Sequence, residues 1–412
     1  MKRFLFLATF ILSLFLSPSI VADSSGNCGD NITWTFDGSH LILTGTGDMY
    51  NYIYYPAGNG YDYNSTSPFG KSVRSVTISW GITSIGNNAF MGCTNLSSIE
   101  IPNSVTSIGD CAFYNCKSLT SIEIPNSVTS IGGSAFCRCE SLTSIEIPNS
   151  VTSIEDHTFN NCESLTSIEI PNSVTSIGKR AFYNCRRLTS IEIPNSVTSI
   201  GKRAFYNCRR LTSIEIPNSV TSIEDYTFSR CYQLKSVTIG NSVTSIGDSA
   251  FSDCLGLKSV TIGNSVTSIG GSAFLSCISL TSIEIPNSVT SIWDGAFFGC
   301  KSLQKITSYA EEPPVCRDNT FDINAKNNCI LEVPDNSIIK YRSADVWKDF
   351  LNMSGVESVT NDYEISVRSE NGEIIVTGAD GNADMDVYSL NGVKVYRGAI
   401  KLLQVPAGIL FL

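Results

Sequence analysis

Leu119-Thr-Ser-Ile-Glu-Ile-Pro-Asn-Ser-Val-Thr-Ser-Ile-Gly-Gly-Ser-Ala-Phe-Cys-Arg-Cys139 is the stretch that decides the fold, because close copies of it follow one another along the chain. Ten full copies run from Val73 to Ser302, and the copies at 178–200 and 201–223 are identical. A phenylalanine recurs every 23 residues, at Phe90, Phe113, Phe136, Phe159, Phe182, Phe205, Phe228, Phe251, Phe274 and Phe297. A cysteine keeps the same step, at Cys93, Cys116, Cys139, Cys162, Cys185, Cys208, Cys231, Cys254, Cys277 and Cys300.

Each copy predicts one coil of chain. Residues 121–124 alternate polar and apolar side chains, which indicates a short strand with both isoleucines on one side. Pro125 has no N–H and ends that strand. An extended crossing follows, and Gly132 then permits a tight corner. The last part of the coil is predicted to be a short helical turn, since its apolar residues have near-helical spacing: Ala135, Phe136, Cys139 and Leu142.

No single coil of this length can bury its own apolar side chains. Stacking the coils aligns equivalent residues into continuous core columns and pairs the strands into a parallel sheet. The predicted fold is therefore a repeat solenoid, with a parallel β-sheet on one face and short helical turns on the other. At a strand spacing of about 4.8 Å, the ten coils would stack to a length of roughly 48 Å.

The order Leu-x-x-Ile-x-Ile followed by Val-Thr-Ser-Ile-Gly-x-x-Ala-Phe-x-x-Cys resembles the BspA-like leucine-rich repeats of bacterial surface proteins, over residues 73–302. The flanks resemble that family too. Residues 23–72 look like its N-terminal β cap, with a hairpin turning at Asp37-Gly38. Residues 303–358 look like its C-terminal cap, which carries Leu331, Tyr341, Ala344, Trp347 and Phe350.

Residues 359–412 resemble the β-sandwich sorting domain found at the end of type IX secretion cargo. The resemblance rests on 374–378, 387–392 and 405–409. It departs from the family pattern after Ile409, where the pattern has a further strand, so we expect a truncated form of this domain.

The first 22 residues predict export. Lys2 and Arg3 precede an apolar run from Phe4 to Leu16, and small residues lead to a plausible cleavage site after Ala22. The run is shorter than the roughly 20 apolar residues that a membrane span needs, and no later stretch is apolar enough. The net charge of −10 argues against a nucleic-acid partner.

The fifteen cysteines would ordinarily suggest a disulfide framework in an exported protein. Ten of them belong to the repeat, where stacked side chains point in parallel and we expect buried, reduced thiols instead. Cys316 and Cys329, in the C-terminal cap, are the best disulfide candidates. No paired CxxC motif suggests a zinc site, and we expect no metal.

One candidate binding surface is a column of acidic residues on the outward strand positions: Glu100, Glu123, Glu146, Glu169, Glu192, Glu215 and, after an interruption, Glu284. Like charges in register repel. The functional interpretation is a track for a basic or cation-bridged partner, with weak divalent-cation binding and no other cofactor. The structural alternative is a solvated face that was copied by duplication.

The second candidate surface, called the basic patch below, lies on the outer side of the coils. It comprises Lys179, Arg180, Arg186, Arg187, Lys202, Arg203, Arg209 and Arg210. It suggests contact with an anionic surface such as a polysaccharide. In the alternative interpretation, the same duplication copied these charges and they have no function.

The pattern predicts no enzyme. His40 and His157 stand in unrelated contexts, without the partners that nucleophile activation or metal binding requires. We expect an exported protein that is displayed at a Gram-negative cell surface. Resemblance to the BspA-like family implies adhesion, to host matrix proteins or to other cells. The competing functions are an architectural stalk or surface layer without a specific ligand, and glycan capture at the outer side, where Tyr114, Tyr183 and Tyr206 lie.

Overall fold

The computed structural model describes residues 24–56, 63–317 and 319–356, together with five strands further along the chain. The chain divides into two compact units, Met1–Val356 and Glu357–Leu412. The predicted signal peptide and the final residues 405–412 lie outside the described residues. Within the described part, no helix is both long enough and apolar enough to cross a membrane.

One side of each coil, called the strand face below, carries the Ser-Ile-Glu-Ile segment. Its strands pair in parallel and in register, so that Ser213, for example, lies opposite Ser236 of the next coil. A separate sheet on the same face continues into the N-terminal cap, where His40 lies opposite Ser75. The strands of this face are His40–Gly45, Ser75–Ile78, Ser98–Glu100, Ser213–Ile216, Ser236–Ile239, Ser259–Thr261, Ser282–Ile285, Lys305–Ser308, Ile330–Pro334 and Asn352–Val356.

The strand predicted at 121–124 does not form a regular ladder. The equivalent segments 121–124, 144–147, 167–170 and 190–193 keep the alternation of exposed and buried side chains. Each is joined to the next by a single backbone hydrogen bond, such as the one that Thr143 N donates to Thr120 O at 3.0 Å. Proline is one cause, because it removes a donor at the end of each of these four segments. Where glycine replaces it, Gly240 N donates to Ile216 O at 3.0 Å and the ladder closes.

A second face, predicted only as an extended crossing, also forms parallel ladders. Ser107 and Ile108 lie opposite Ser130 and Ile131 of the next coil. Its strands mark about twelve turns of the solenoid: Gly47–Asp48, Ile82–Ile85, Ser107–Ile108, Ser130–Ile131, Ser153–Ile154, Ser176–Ile177, Ser199–Ile200, Ser222–Ile223, Ser245–Ile246, Ser268–Ile269, Ser291–Ile292 and Val315–Cys316.

The third side of each coil, called the turn face below, does not contain the predicted helical turn. Consecutive tight turns take its place: Cys139 N donates to Phe136 O at 3.1 Å, whereas Phe136 N donates to Thr158 O of the next coil at 3.0 Å. Two residues per coil have a positive φ, such as Ser134 at 55° and Arg138 at 61°. Their N–H groups also donate to the next coil, so bonds between coils replace the bonds a helix would make within one.

Phenylalanine rings form the core column. Successive rings stack with centroids between 5.2 and 5.8 Å apart, from Phe69 through Phe90 to Phe297 and on to Phe321. Phe69 and Phe321 extend the column by one ring at each end beyond the ten copies read from the sequence. All the rings from Phe90 to Phe297 are fully buried, as are the cysteines of the repeat beside them.

Both ends of the stack are closed. At the N-terminus, Ser24–Gly29, Ile32–Phe36 and His40–Gly45 form an antiparallel meander, with the predicted turn at Asp37 and Gly38. Two short strands that follow in the sequence, Tyr54–Pro56 and Tyr63–Ser65, pair with each other in antiparallel orientation.

The C-terminal end is covered by short helices and aromatic side chains. Trp347 and Tyr341 are fully buried, and Trp347 Nε1 donates to Pro314 O at 2.8 Å. Phe321, the last ring of the core column, contacts Trp347 and Phe350. The helices are α-helices Ile323–Asn328 and Ile338–Ser343 and 3₁₀ turns Asp335–Ser337 and Trp347–Asp349.

The second unit contains antiparallel strands. Ser366–Glu370 pairs with Glu373–Thr377, which also pairs with Leu403–Gln404. Asp384–Tyr388 pairs with Lys394–Ala399. Antiparallel pairing agrees with a small β domain, and its resemblance to a sorting domain stays a prediction.

Candidate binding surfaces

The strand face holds the predicted acidic column. The isoleucines on either side of these glutamates are buried, as Ile122 and Ile124 are around Glu123, except that Ile101 beside Glu100 is only partly buried. The carboxylate side chain is therefore forced outward. All seven predicted members are exposed: Glu100, Glu123, Glu146, Glu169, Glu192, Glu215 and Glu284.

Shallow depressions follow one another along this face and include most of these glutamates in their walls. One of them, of about 970 Å³, runs past Glu123, Glu146 and Glu169. Two more, of 440 and 540 Å³, carry the line on past Glu192 and Glu215. A chain lying across these coils would therefore meet a carboxylate at every step.

The acidic stretch has defined limits. On the described strand face, exposed basic residues flank this stretch and do not interrupt it. Arg74 lies before Glu100, and Lys235 and Lys258 lie after Glu215. Further on, Lys305 contacts Glu332 with an N–O distance of 2.8 Å. Glu332 continues the outward column, since it lies opposite Thr307, and sequence reasoning missed it because the last coil is two residues longer than the repeat.

The acidic column is not a metal centre in this structure. Among the described residues, no group of three His, Cys, Asp or Glu side chains is arranged to hold a metal ion. Glutamates on adjacent coils can meet a shared cation only in pairs, at about the 4.8 Å spacing of the strands. Divalent-cation binding at this column stays a prediction.

Neither histidine forms a catalytic set. His40 lies on the strand face, with Nδ1 2.6 Å from Ser75 Oγ and Nε2 3.3 Å from Thr77 Oγ1. Asp37 accepts bonds from the backbone of Ser39 and His40 instead of orienting the ring. His157 lies on the turn face beside Asn160, at 2.8 Å, and burial followed by the charge of Arg180 lowers its pKa.

The structure brings the basic patch together on the turn face. Two of its members are neutralised: Arg186 by Glu163 at 3.3 Å and Lys202 by Asp225 at 2.7 Å. The other six make no ion pair among the described residues: Lys179, Arg180, Arg187, Arg203, Arg209 and Arg210.

Tyrosines hold several of these guanidinium groups in place, which the sequence did not reveal. Arg203 lies 4.7 Å over the ring of Tyr226, and Arg180 lies 5.6 Å over that of Tyr183. Tyr183 in turn stacks on Tyr206 at 4.8 Å. Cation–π contacts of this kind fix long side chains that would otherwise be mobile.

The cysteines of the repeat are buried and reduced. The thiol of each, from Cys116 on, donates to the phenylalanine carbonyl of the preceding coil, as Cys185 Sγ does to Phe159 O at 3.2 Å. Burial raises the pKa of Cys231 to about 12 and shifts the others in the same direction.

The candidate disulfide between Cys316 and Cys329 is not formed in this structure. Cys316 belongs to the second face, opposite Ile292, whereas Cys329 precedes a strand of the strand face. Cys329 Sγ donates to Leu303 O at 2.8 Å, so this thiol, like those of the repeat, already has a backbone carbonyl as its partner.

Coils with a 23-residue step, parallel strands on one face and a core of aligned leucine, isoleucine and phenylalanine define a leucine-rich-repeat solenoid. The model of the BspA type leucine-rich repeat region, with six copies, matches residues 69–166, 152–281 and 268–336. Because these matches cover more than half of the chain, the protein belongs to the BspA-type leucine-rich-repeat family.

Solved structures include similar proteins. A leucine-rich repeat protein from Bacteroides ovatus is 27% identical, with 80% of this chain and 99% of that chain covered and a TM-score of 0.49. A leucine rich cell surface protein from Faecalibacterium prausnitzii is 28% identical, with 81% and 95% covered and a TM-score of 0.42. Comparison with curated proteins finds no match.

Proposed function

We propose that this protein is exported and binds other proteins at a bacterial surface, with the strand face taking an extended basic segment of its partner. The observation that supports this most directly is the row of six exposed glutamates on consecutive coils. Five of them, from Glu123 to Glu215, lie in the walls of a continuous line of depressions. No basic side chain of the described strand face interrupts that row.

The spacing favours an extended partner. Six coils at about 4.8 Å span five steps, or roughly 24 Å, which an extended peptide of about seven residues covers. Basic side chains on one side of such a segment recur about every 6.8 Å, so each flexible side chain would have one or two carboxylates of the row within reach. The uniformity of the coils gives a compact protein nothing distinctive to recognise, whereas a regular chain can pair with many of them.

Membership of the repeat family and the predicted signal peptide together support an extracellular role without catalysis. The partner would then be a host matrix protein or a protein of another cell, and the sorting-domain resemblance of 359–412 suggests the outer surface of a Gram-negative bacterium. Cell fractionation with N-terminal sequencing tests this. Mature protein that begins at Asp23 and is accessible to external protease is the expected result, and an uncleaved intracellular protein would contradict it.

A binding experiment tests the role of the acidic row. The probe is a peptide that alternates lysine and serine over about eight residues, and its counterpart has glutamate in place of lysine. We expect the lysine peptide to bind the full-length protein, and binding to weaken with salt. The variant has four central carboxylates neutralised: Glu123→Gln, Glu146→Gln, Glu169→Gln and Glu192→Gln.

A matched control separates local recognition from net charge. It removes the same number of negative charges at exposed sites outside the strand face: Asp30→Asn, Asp294→Asn, Glu311→Gln and Asp345→Asn. Loss of peptide binding in the first variant alone supports the proposal. Equal losses in both, or no binding by the unmodified protein, would favour an architectural role for the stack.

A further inference from the structure

We infer that the basic patch of the turn face is a second binding site, and that its ligand is a sulfated or carboxylated polysaccharide. This surface differs from the acidic row in position and in charge. Its cations come from two identical consecutive coils, 178–200 and 201–223, so that each basic residue is repeated one coil further along the axis.

The patch offers cations that the protein itself leaves unused. Six of its eight members make no ion pair among the described residues, and four of them are exposed: Lys179, Arg187, Arg209 and Arg210. The protein as a whole carries a net charge of −10. Attraction of an anionic polymer therefore needs a local concentration of positive charge, which this patch supplies, since the overall charge opposes it.

The arginines are held ready for planar anionic groups. Arg209 lies 5.5 Å over the ring of Tyr232 and donates to Asn207 Oδ1 at 2.9 Å, and Arg203 lies over Tyr226. A guanidinium group fixed on a ring still has N–H groups free to bind sulfate or carboxylate oxygens in a bidentate manner. Less side-chain entropy is then lost on binding.

The contacts of the tyrosines and the lack of exposed apolar side chains favour one class of ligand over the others. Tyr183 has Arg180 over its ring and Tyr206 stacked against it, so base or sugar rings cannot stack freely on it. Single-stranded nucleic acids depend on such stacking for much of their affinity. A membrane would require exposed apolar side chains, and the described residues of 178–223 include no exposed large hydrophobic residue. Contact through anionic substituents alone suits a charged polysaccharide.

Binding of the full-length protein to heparin tests the inference, with neutral dextran as the uncharged probe. The variant Lys179→Gln, Arg187→Gln, Arg209→Gln and Arg210→Gln removes the four exposed cations. Each surface ionic contact contributes a few-fold in affinity, so we expect a loss of about a hundredfold. Dextran should not bind.

The control variant removes four exposed cations elsewhere: Lys71→Gln, Arg74→Gln, Lys235→Gln and Lys258→Gln. It should keep heparin affinity within about twofold, since these residues lie outside the patch. Unchanged circular dichroism, and unchanged binding of the lysine peptide by the patch variant, show that it is folded.

Three results would overturn the inference. Equal losses in the patch variant and the control would mean that heparin responds only to net charge. Binding of dextran would mean that anionic groups are not what is recognised. Binding of oligothymidylate or of phosphatidylserine vesicles as tightly as heparin would mean that the ligand is not a polysaccharide.

Discussion

Replacing Glu169 by glutamine should stabilise the solenoid, because this carboxylate lies between two others in the acidic row. Its neighbours on the adjacent coils are Glu146 and Glu192. At about 4.8 Å in water, each pair of unit charges repels by about 1 kcal/mol. A Debye length of about 10 Å at 0.1 M salt reduces this to about 0.5 kcal/mol per pair. Removing both pairs should therefore raise the free energy of unfolding by about 1 kcal/mol.

Glu284 provides the matched control. Its strand position is the same, but the outward residues on the adjacent coils are Thr261 and Thr307, and it interacts with Tyr309 and Lys305. The variant Glu284→Gln removes no repulsion between glutamates. We expect it to leave stability unchanged or slightly lower.

Urea denaturation followed by circular dichroism measures both variants, at low salt and at about 1 M salt, where the Debye length falls to about 3 Å. The gain from Glu169→Gln should shrink towards zero at high salt. A gain of the same size at both positions, or one that salt does not reduce, would refute the electrostatic reasoning. No gain from Glu169→Gln would refute it too, and would mean that the glutamates relieve their repulsion by pointing apart.

Three further predictions concern the core and the turns. Phe205→Ala should lower the free energy of unfolding, measured by urea denaturation, by about 3–5 kcal/mol, because removal of a fully buried ring leaves a cavity. A loss below about 1 kcal/mol would mean that the neighbouring rings close the cavity. Gly201→Ala should cost about 1–3 kcal/mol, since its Cβ would lie 2.6 Å from Lys179 N. Gly133→Ala, 3.3 Å from the nearest atom, should cost less, and equal shifts in midpoint would count against the contact. Burial lowers the pKa of His157 below its ordinary 6.5, so the unfolded chain takes up the proton first and the protein loses stability as pH falls below that value. His157→Asn should reduce this loss in thermal melts between pH 7.5 and 5.5, and identical pH profiles would contradict it.

The sequence predicted the coil and its core because periodicity reports burial directly. Every phenylalanine and cysteine of the 23-residue step lies inside, as stacking requires. The alternation at 121–124 likewise predicted which side chains face out. It did not reveal that the ladder is incomplete there, because backbone pairing depends on the neighbouring coil as well as on the segment itself.

The prediction of a helical turn on the turn face was wrong for a related reason. The spacing of Ala135, Phe136, Cys139 and Leu142 fits a helix, but it fits a series of tight turns equally well. Bonds between coils decide which forms, and they require positive φ at two positions per coil. Asparagine, serine, aspartate and arginine mostly occupy those positions, so the usual glycine signal is absent from most coils.

Contacts between coils also explain which features of the two candidate binding surfaces the sequence did not predict. The sequence identified the eight cations of the basic patch, and Tyr183 and Tyr206 on the same side, but not the contacts between cations and rings. Arg203 and Tyr226, for example, lie one coil apart, so their contact depends on how the coils stack. The sequence identified the acidic row but not Glu332, because the repeat length changes in the cap.

The thiols between the coils bear on how this protein would withstand an oxidising environment. A thiol must lose its proton to attack a disulfide or to react readily with an oxidant. Burial raises the pKa of these groups far above neutral pH, and their S–H groups are already engaged by carbonyl oxygens. The folded protein thus needs no reducing environment to keep its cysteines apart. The vulnerable period is before folding, when ten thiols at equal intervals could cross-link in any combination, so rapid stacking of the coils is itself a protection against oxidation.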